Sequence, residues 1–350
     1  AEQVEQQFKS PTTIFIQQKE QLGTGHAVHM AVPELCSDAV VIVLYGDVPL
    51  IRPATIQKIL AVVTESTMGL LTINLDQPTG YGRIVRNTSG DITEIIEQKD
   101  ASAEQLKITE VNTGVLALQS SQLRDWLPKI TNNNAQGEYY LTDLVAIARE
   151  AGIEVISVNP ESATEVEGVN NRVQLSQLER AHQRQLAEVL MESGTSLADP
   201  ARFDQRGELS AGTDNFIDIN CVFNGSVTIG SNVSIGANCQ ISDSTIGDGV
   251  SILPNTIIES SVVGDRAVVG PFARLRPGTE MGSDTKVGNF VETKKTLVGK
   301  GSKINHLSYV GDAQLGENVN IGAGTITCNY DGVSKHKTDL GDGVFVGSNS

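Results

Sequence analysis

The sequence predicts an α/β, Rossmann-like domain followed by a parallel β-helix, and three observations support this prediction. Predicted strands and helices alternate from residue 1 to about residue 170. One long amphipathic helical pattern then runs from Arg172 to Glu192. From about Val227 to Ser350, aliphatic residues recur every six residues. A chain of 350 residues is long enough for two domains.

The six-residue period is typical of a β-helix. An α-helix has an apolar period near 3.6, a single strand has a period of 2, and sandwich strands turn at roughly 8–12-residue spacing. In a β-helix each aliphatic side chain points into the coil and stacks on its equivalent one coil away. The repeat is carried by Ile229, Ile235, Ile241, Val263, Val269, Leu275, Met281, Val287, Val298, Ile304, Val310, Leu315 and Ile321.

The repeat is irregular in a few places. Five-residue steps at Ile246 and Leu315 leave the overall pattern intact. Glu292–Leu297 and Asn329–Thr338 interrupt it, and we expect both to be insertions. Insertions in solenoids often carry function, so these two segments are candidates for a site.

Residues 1 to about 170 predict a doubly wound α/β domain. Ala39–Tyr45 is a nearly continuous apolar run, which suits a central parallel strand buried on both faces. In open α/β sheets ligands bind beyond the carboxyl ends of the strands. The other predicted elements are strands at Thr12–Gln17, Leu70–Leu75, Val111–Leu118 and Ile153–Val158, and helices at Pro53–Val63, Ser120–Ile130 and Leu141–Ala151.

Unusual residues follow several of these strands. Asp47 follows the Ala39–Tyr45 run after one glycine, and there it either holds a divalent cation or caps a helix or turn. The Gly-Thr-Gly of Gln18–Ala27 opens a helical segment, where backbone N–H groups can approach a base or a phosphate. The other two segments are Gly80–Arg83, a glycine turn beside a guanidinium, and Glu110–Gly114, which places an amide at a strand start.

Composition excludes several classes of function. The formal net charge of −16 disfavours a nucleic-acid or anionic-membrane surface. The four cysteines contain no CxxC pair, which argues against a disulfide framework or a zinc site and fits a reducing cytoplasm. No apolar run approaches the roughly 18 residues of a membrane span.

The chain divides into three predicted segments. These are an α/β domain at residues 1–171, a linker helix at 172–196 and a β-helix at 197–350. The chain begins without Met and stops within the repeat, without the polar cap that a solenoid needs. We therefore expect a fragment of a longer protein.

A series of phrases spans nearly the whole chain: QLGTGHA (21–27), LYGDVPLI (44–51), PTGYGRI (78–84), NTGVL (112–116), NNNAQGEYYLTD (132–143), EVEGVNNR (165–172), DPARFD (199–204), GPFARLRPG (270–278), VGNFVETKK (287–295) and NIGAGTITCNYDG (320–332). In this order they resemble the bacterial bifunctional N-acetylglucosamine-1-phosphate uridyltransferase/glucosamine-1-phosphate acetyltransferases. The resemblance implies a nucleotidyltransferase domain and a left-handed β-helix that forms a homotrimer. It also implies that a first strand with a Gly-rich phosphate loop precedes Ala1 and that further coils follow Ser350.

The resemblance implies uridyl transfer from UTP to N-acetylglucosamine-1-phosphate in the first domain, with release of diphosphate. Such in-line transfer needs positioning and charge neutralisation rather than a nucleophilic side chain. No Ser/His/Asp or Cys/His arrangement stands out in this half, which agrees. By resemblance Asp47 and Asn170 hold Mg²⁺, Gln18, Gly23 and Thr24 bind uridine, and Tyr45, Gly46, Gly82, Glu97 and Asn112 line the sugar nucleotide.

In the second domain the resemblance implies acetyl transfer from acetyl-coenzyme A to glucosamine-1-phosphate, with His306 as the base. A lone histidine is more often structural, but a pKa near neutrality suits removal of the amine proton. Arg276 and Lys294 are separated by three hexads, which bring both cations to one face, where they suit a sugar phosphate. The resemblance further implies Tyr309 and Asn320 at the sugar, and Ala323, Asn329, Tyr330 and Ser348 at acetyl-coenzyme A, between subunits.

The resemblance therefore implies a bifunctional enzyme of UDP-N-acetylglucosamine synthesis, which supplies peptidoglycan and lipopolysaccharide synthesis, and we expect it to be cytoplasmic. One alternative is a sugar-1-phosphate nucleotidyltransferase whose β-helix is purely structural. The combination of His306, Arg276, Lys294 and Tyr309 argues against it, because a purely structural β-helix does not need these four side chains. A second alternative is a non-catalytic, truncated trimeric scaffold, and separate assays of the two half-reactions discriminate it from the enzyme.

Overall fold

The computed structural model describes residues 2–350, with side chains from Gln3 onward. The chain forms two compact units, Ala1–Leu178 and Glu179–Ser350. No helix in the described range is long and apolar enough to cross a membrane. The helices are α1 (Glu2–Phe8), α2 (Thr24–Ala31), α3 (Pro53–Ala61), α4 (Ser120–Trp126), α5 (Asp143–Glu150) and α6 (Arg172–Glu192). The strands of the first unit are β1 (Val40–Val43), β2 (Thr67–Asn74), β3 (Arg83–Arg86), β4 (Ile92–Ile96), β5 (Glu110–Gln119) and β6 (Glu154–Val158).

The first unit is built on a mixed sheet with β5 as its central strand. The strand order is β4–β3–β5–β2–β6, and β1 also pairs with β5. Alternate residues of β5 face opposite sides of the sheet. Val115 and Ala117 join Ile59 of α3 in one apolar core, whereas Leu116 and Leu118 join the core of α4 and α5. Helices therefore cover both faces, which confirms the predicted α/β class.

The prediction for Ala39–Tyr45 was wrong in its details. The strand is shorter, and it pairs antiparallel with β5 along one edge only among the described residues. Its side chains are exposed or half-buried, with Val40 42% exposed. The fully buried central strand is β5. A short apolar run shows that a strand has apolar surroundings, but it does not reveal how many neighbours pair with it.

Two further local predictions were incomplete. Thr12–Gln17 forms no strand, and its side chains are largely exposed, because β-branched residues favour a strand only where a neighbour pairs with them. The β3–β4 hairpin was missed, although the Gly-containing turn at 87–91 is a hairpin signal. The other predicted elements are confirmed, with ends displaced by a few residues, and α6 has the bounds of the predicted helix.

The second unit is a parallel β-helix, which confirms the six-residue prediction. Its strands are β7 (Thr195–Leu197), β8 (Phe203–Ala211), β9 (Asn215–Ile217), β10 (Cys221–Ile229), β11 (Ser234–Ile235), β12 (Gln240–Ser242), β13 (Thr245–Ile246), β14 (Ser251–Ile252), β15 (Ile257–Glu259), β16 (Val262–Val263), β17 (Val268–Val269), β18 (Arg274–Leu275), β19 (Glu280–Met281), β20 (Lys286–Asn289), β21 (Glu292–Val298), β22 (Lys303–His306), β23 (Tyr309–Leu315), β24 (Asn320–Ile321), β25 (Thr338–Leu340) and β26 (Phe345–Val346).

Successive coils stack in register, with each strand paired to its equivalent one coil further along the chain. Val262 pairs with Glu280, and Lys303 pairs with Asn320. The five-residue steps of the sequence make some coils slightly shorter without shifting this register. Stacking places the aliphatic residues in continuous buried columns, one of which consists of Ile229, Ile246, Val263, Met281, Val298 and Leu315.

One of the two predicted insertions is not an insertion. Glu292–Leu297 belongs to β21, which pairs in register on both sides. The apolar pattern fails there because Thr293 and Thr296 occupy fully buried positions. Their hydroxyls are satisfied internally, and Thr296 donates to the carbonyl of Val310 at 2.9 Å. The prediction for Asn329–Thr338 is confirmed, because the chain takes a longer path from Ala313 to its partner Thr338 than between other stacked strands.

The columns make a core substitution costly. Ile258 is fully buried and stacks between Ile241 and Leu275. We expect Ile258→Ala to lower the free energy of unfolding of the β-helix by about 2–5 kcal/mol, because the neighbouring coils cannot close the cavity. Denaturant unfolding followed by circular dichroism measures this. Val262→Ala, at a position 47% exposed, is the control and should change stability by about 0.5 kcal/mol or less. Equal losses in the two variants would contradict the prediction.

Candidate functional sites

The first unit contains a cleft of about 460 Å³ on the side of the sheet where β5 begins. The cleft gathers most of the polar residues singled out in the sequence. Seven of them line it: Thr24, Tyr45, Asp47, Gly82, Glu97, Asn112 and Asn170. Lining residues that sequence reasoning did not assign include Tyr81, Gln136, Glu138, Tyr140, Thr142, Glu167 and Gln174.

Asp47 and Asn170 both line the cleft, on segments that lie side by side. The N–H of Val169 donates to the backbone carbonyl of Asp47 at 2.8 Å, which holds the two segments side by side. Gln174, in the first turn of α6, accepts the N–H of Asn170 through Oε1 at 2.8 Å. Both residues line the same cleft, so it offers one carboxylate and one amide, whose oxygens are hard donors for a cation.

Tyr45 and Asn112 are fixed by one glycine. Gly114 has φ +86°, and a Cβ there would lie 2.1 Å from the ring of Tyr45. The Gly114 N–H donates to Oδ1 of Asn112 at 3.0 Å, so the Asn112 amide presents its NH₂ as a donor. Burial, followed by the charges of Glu97 and Asp47, raises the pKa of Tyr45, whose hydroxyl therefore stays protonated.

Glu97 forms the acidic part of the cleft. Its carboxylate accepts the hydroxyl of Thr142 at 3.1 Å. Burial raises the pKa of Glu97, the Thr142 hydrogen bond opposes this shift, and the charge of Asp100 adds to it. Burial also raises the pKa of Asp143 to about 6, with further contributions from Glu97 and Asp100. The carboxylate of Glu97, in the cleft, and that of Asp143, which is not among the lining residues, are therefore costly to charge without a cation or a hydrogen-bond donor.

Three predicted residues, Gln18, Gly23 and Gly46, do not line the cleft. Gln18 lies behind Thr24, where its Nε2 contacts Nδ1 of His26 at 2.9 Å and the carbonyl of Gly23 at 3.3 Å. The N–H of Gly25 donates to the carbonyl of Tyr139 at 2.8 Å, so it is used within the chain. These contacts fix the position of Thr24, and the uridine roles of Gln18 and Gly23 stay predictions.

The β-helix carries a second candidate site around His306. This residue ends β22 on an exposed part of the coil, level with Asn289 of β20. Nδ1 of His306 lies 2.8 Å from Oδ1 of Asn289. An amide oxygen accepts but does not donate, so in the neutral imidazole this contact favours the tautomer with the proton on Nδ1 and the lone pair on Nε2. Asn289 was not found from the sequence, because it lies a full coil before the histidine.

Arg276 and Lys294 lie at equivalent positions of adjacent coils, as predicted. Leu275 pairs with Thr293. Arg276 is the residue after Leu275, and Lys294 is the residue after Thr293. Arg276 is not a free cation, however, since it bonds Oε1 of Glu292 at 2.7 Å. This hydrogen bond is the main reason that the pKa of Arg276 is raised. Glu292 was not assigned from the sequence, although Lys294 in the same segment was, because its contact with Arg276 depends on how the adjacent coils pair.

The remaining predicted residues fall along the same coils. Tyr309 pairs with Glu292, and Asn329 donates to Oδ2 of Asp312 at 2.5 Å. Ile304 pairs with Ile321, which pairs with Val346 on the next coil. The residues two positions after each of these are His306, Ala323 and Ser348, so these three lie at equivalent positions of successive coils. Asn320 pairs with Lys303 on that sheet. Tyr330 lies in the insertion loop, where its hydroxyl donates to the carbonyl of Gly332 at 2.6 Å.

Fold and sites together define a nucleotidyltransferase joined to a hexapeptide-repeat acyltransferase. Residues 207–291 match the family model described as the GMPPB C-terminal domain. The curated proteins named bifunctional protein GlmU are 60% identical in Marinobacter nauticus, 55% in Cellvibrio japonicus and 52% in Burkholderia multivorans. Each comparison covers 100% of this chain and 77% of the relative.

The chain belongs to the bifunctional GlmU family. It is an enzyme with acetyltransferase and uridylyltransferase activities, which together make UDP-N-acetylglucosamine. Its β-helix is left-handed, a property that the six-residue period could not reveal. These activities agree with the cell-wall role that the resemblance implied.

The raised pKa of Asp143 gives a pH-dependent prediction. A carboxyl group whose pKa is raised by folding destabilises the fold when it is charged, so the penalty is absent at low pH and complete above about pH 6. Asp143→Asn should therefore raise the melting temperature of the first unit near pH 7.5, and the gain should shrink towards pH 4.5. Calorimetry measures this, with the exposed Asp125→Asn on α4 as control. A gain that is independent of pH would rule out the explanation.

Proposed function

We propose that the cleft of the first unit is the uridyl-transfer site and that Asp47 and Asn170 hold its Mg²⁺. The observation that supports this most strongly is the bond between the Val169 N–H and the Asp47 carbonyl, because it holds the segments that carry the two predicted ligands side by side, and both residues line the cleft. UTP and N-acetylglucosamine-1-phosphate are the proposed substrates.

The donor set fits Mg²⁺. In the described residues no three His, Cys, Asp or Glu side chains cluster as a metal site. Mg²⁺ does not need such a cage, because it usually keeps several waters and binds one or two carboxylates together with substrate phosphates. Asp47 supplies the carboxylate and Asn170 the amide oxygen. When bound, the ion would neutralise phosphate charge during transfer.

The other cleft residues orient the sugar nucleotide. Asn112 presents its NH₂ because Gly114 occupies its oxygen, and Tyr45 presents a protonated hydroxyl. Glu97, held by Thr142, accepts hydrogen bonds from sugar hydroxyl or amide groups. These side chains hold the reactants in place and none acts as a nucleophile, which agrees with in-line transfer.

For acetyl transfer we propose that His306 is the general base. Its contact with Asn289 supports this role, because the contact leaves Nε2 free to accept the proton of the sugar amine. Lys294 and Arg276 bind the phosphate of glucosamine-1-phosphate, with Glu292 fixing the guanidinium. Tyr309 and Asn320 contact the sugar. Acetyl-coenzyme A then lies along the coils past Ala323 and Ser348, with Asn329 and Tyr330 in the adjacent loop.

The proposed assembly is a cytoplasmic homotrimer in which coenzyme A lies between subunits. The proposed segments are the nucleotidyltransferase domain at 1–171, the linker helix at 172–196 and the acetyltransferase domain at 197–350. An apolar stripe on the β-helix supports self-association. Phe272 and Phe290 stack on adjacent coils with their ring centroids 5.4 Å apart, and they are 50% and 56% exposed. Leu307, which is 63% exposed, continues the stripe.

Replacing Asp47 tests the uridyl site. Asp47→Ala should lower Mg²⁺-dependent uridyl transfer by about 100-fold or more, because the carboxylate that holds the neutralising ion is lost. Acetyl transfer in the same variant should stay unchanged and reports correct folding. The exposed Asp38→Ala is the matched control and should retain both activities. Loss of both activities in a folded Asp47 variant would contradict the assignment of separate sites.

Replacing His306 tests the acetyl site. His306→Ala should lower acetyl turnover by about 10²–10⁴-fold with little change in KM, since general-base catalysis acts on the transition state. The deficit should shrink as pH rises, because more of the amine is then neutral before it binds. Uridyl transfer should be unaffected, and His182→Ala on α6 should leave both activities intact. Near-full acetyl turnover at neutral pH would show that His306 is structural.

The oligomeric state tests the trimer. Sedimentation equilibrium at micromolar concentration should give three times the mass of one chain, because exposed apolar residues on adjacent coils favour burial against another copy. Phe290→Ser should shift the distribution towards smaller species, whereas Val333→Ser, in the insertion loop and 89% exposed, should not. A clean monomer of the unmodified chain would overturn this prediction.

A further inference from the structure

Glu165 is a fully buried carboxylate that does not line the cleft. Its side chain is 0% exposed within the short 3₁₀ helix Ala163–Val166. The cleft wall begins at the next position, Val166. Burial of a carboxylate is costly unless the charge and its lone pairs are satisfied, so its presence needs a physical explanation.

The carboxylate joins two segments that are far apart in the sequence. Oε2 accepts the hydroxyl of Thr55, which is 1% exposed in the first turn of α3, at 2.6 Å. Oε1 accepts the N–H of Glu161 at 3.0 Å and lies 3.7 Å from Nε of Arg52. The amino end of α3 also favours a negative charge at this place. Glu165 therefore fixes the 161–166 turn to the start of α3.

The same turn leads directly to the proposed metal ligands. Val166 packs into the core with Ile59 of α3. Glu167 and Gly168 then line the cleft, and the Val169 N–H bonds to Asp47. The stretch from Glu165 to Asn170 is short, and apart from the apolar contact of Val166 it is tied to α3 through the Glu165 carboxylate. The direction from which Asn170 enters the cleft therefore depends on where Glu165 is held.

We propose that Glu165 is a positioning residue for cation binding in the nucleotidyl site, acting through Thr55 of α3 and the 161–170 segment. This inference rests on the proposed Mg²⁺ role of Asp47 and Asn170. Glu165 touches neither the cation nor the substrate, and it acts by fixing the place of Asn170 relative to Asp47. Hydrogen-bond geometry, and not the charge of Glu165, is what the site requires.

The test is the affinity of the full chain for Mn²⁺, a paramagnetic substitute for Mg²⁺, measured by electron paramagnetic resonance with UDP-N-acetylglucosamine present and without turnover. Glu165→Ala should weaken Mn²⁺ binding by about 10-fold, the lower end of the effect of losing an outer-shell partner. Glu165→Gln should bind within about twofold of the unmodified chain, because an amide can accept from the Glu161 N–H and donate to Thr55. In uridyl transfer, Glu165→Ala should need more Mg²⁺ for half-maximal rate and regain most of the rate at saturating Mg²⁺.

Two matched sets of variants separate positioning from general damage. Thr55→Val removes the hydroxyl partner and should weaken Mn²⁺ binding, whereas Thr55→Ser retains the hydroxyl and should not. Glu161→Gln removes a half-exposed ion pair with the same Arg52 and should leave Mn²⁺ affinity unchanged. Acetyl transfer should be normal in every variant, since its proposed residues all lie in the second unit.

Each outcome bears on one idea only. Unchanged Mn²⁺ affinity in a folded Glu165→Ala chain would overturn the positioning role. If that variant does not fold, the comparison of Thr55→Val with Thr55→Ser tests the positioning role instead. Equal Mn²⁺ affinities in these two variants would overturn that role as well. Asp47→Ala is measured alongside. If Mn²⁺ affinity survives that substitution, the proposed metal site itself is wrong, and the failure is then distinct from a failure of Glu165.

Discussion

Parallel pairing of each strand with its equivalent on the next coil is the constraint on which the β-helix and its site depend. The constant register keeps each aliphatic side chain above its counterpart, so every coil buries its apolar residues against the next. The same register acts on the outside of the coil. It brings Asn289 level with His306 and Arg276 level with Lys294, although the residues of each pair lie a full coil apart in the sequence.

The first unit differs from the β-helix, because its site is a polar cleft. Loops that follow β1, β2, β4 and β6 form much of its cleft wall, and backbone hydrogen bonds join some of them. Gly114 lets the ring of Tyr45 pack closely against the sheet, and Val169 joins the Asp47 loop to the Asn170 loop. The carboxylates of Asp47, Glu97, Glu138 and Glu167 all line the cleft, so an anionic substrate needs a cation to enter it. This charge balance connects the architecture of the cleft with a divalent ion.

Features that follow from a repeated spacing could be predicted from the sequence, whereas features that depend on pairing between distant strands could not. The β-helix and the alignment of Arg276 with Lys294 follow from a period, which is readable without any knowledge of contacts. The central role of β5 and the Asn289–His306 contact depend on which strands pair, and composition does not encode that. The strand at 292–298 was predicted as an insertion because the threonines at 293 and 296 replace aliphatic residues while staying buried. The sequence motifs identified the cleft residues, but they did not reveal the hydrogen bonds of Thr142, Gln174 and Glu165 that fix the positions of those residues or of their neighbours.

The central claim is that each activity has its own site, one in each unit of the chain. Hydrogen–deuterium exchange with each ligand added separately tests it most directly. UDP-N-acetylglucosamine with Mg²⁺ should slow exchange at residues 45–48 and 166–170 and leave 303–309 unchanged. Glucosamine-1-phosphate with coenzyme A should slow exchange at 303–309 and leave 45–48 unchanged. Protection of 303–309 by the nucleotide sugar, or its failure to protect 45–48, would contradict the account.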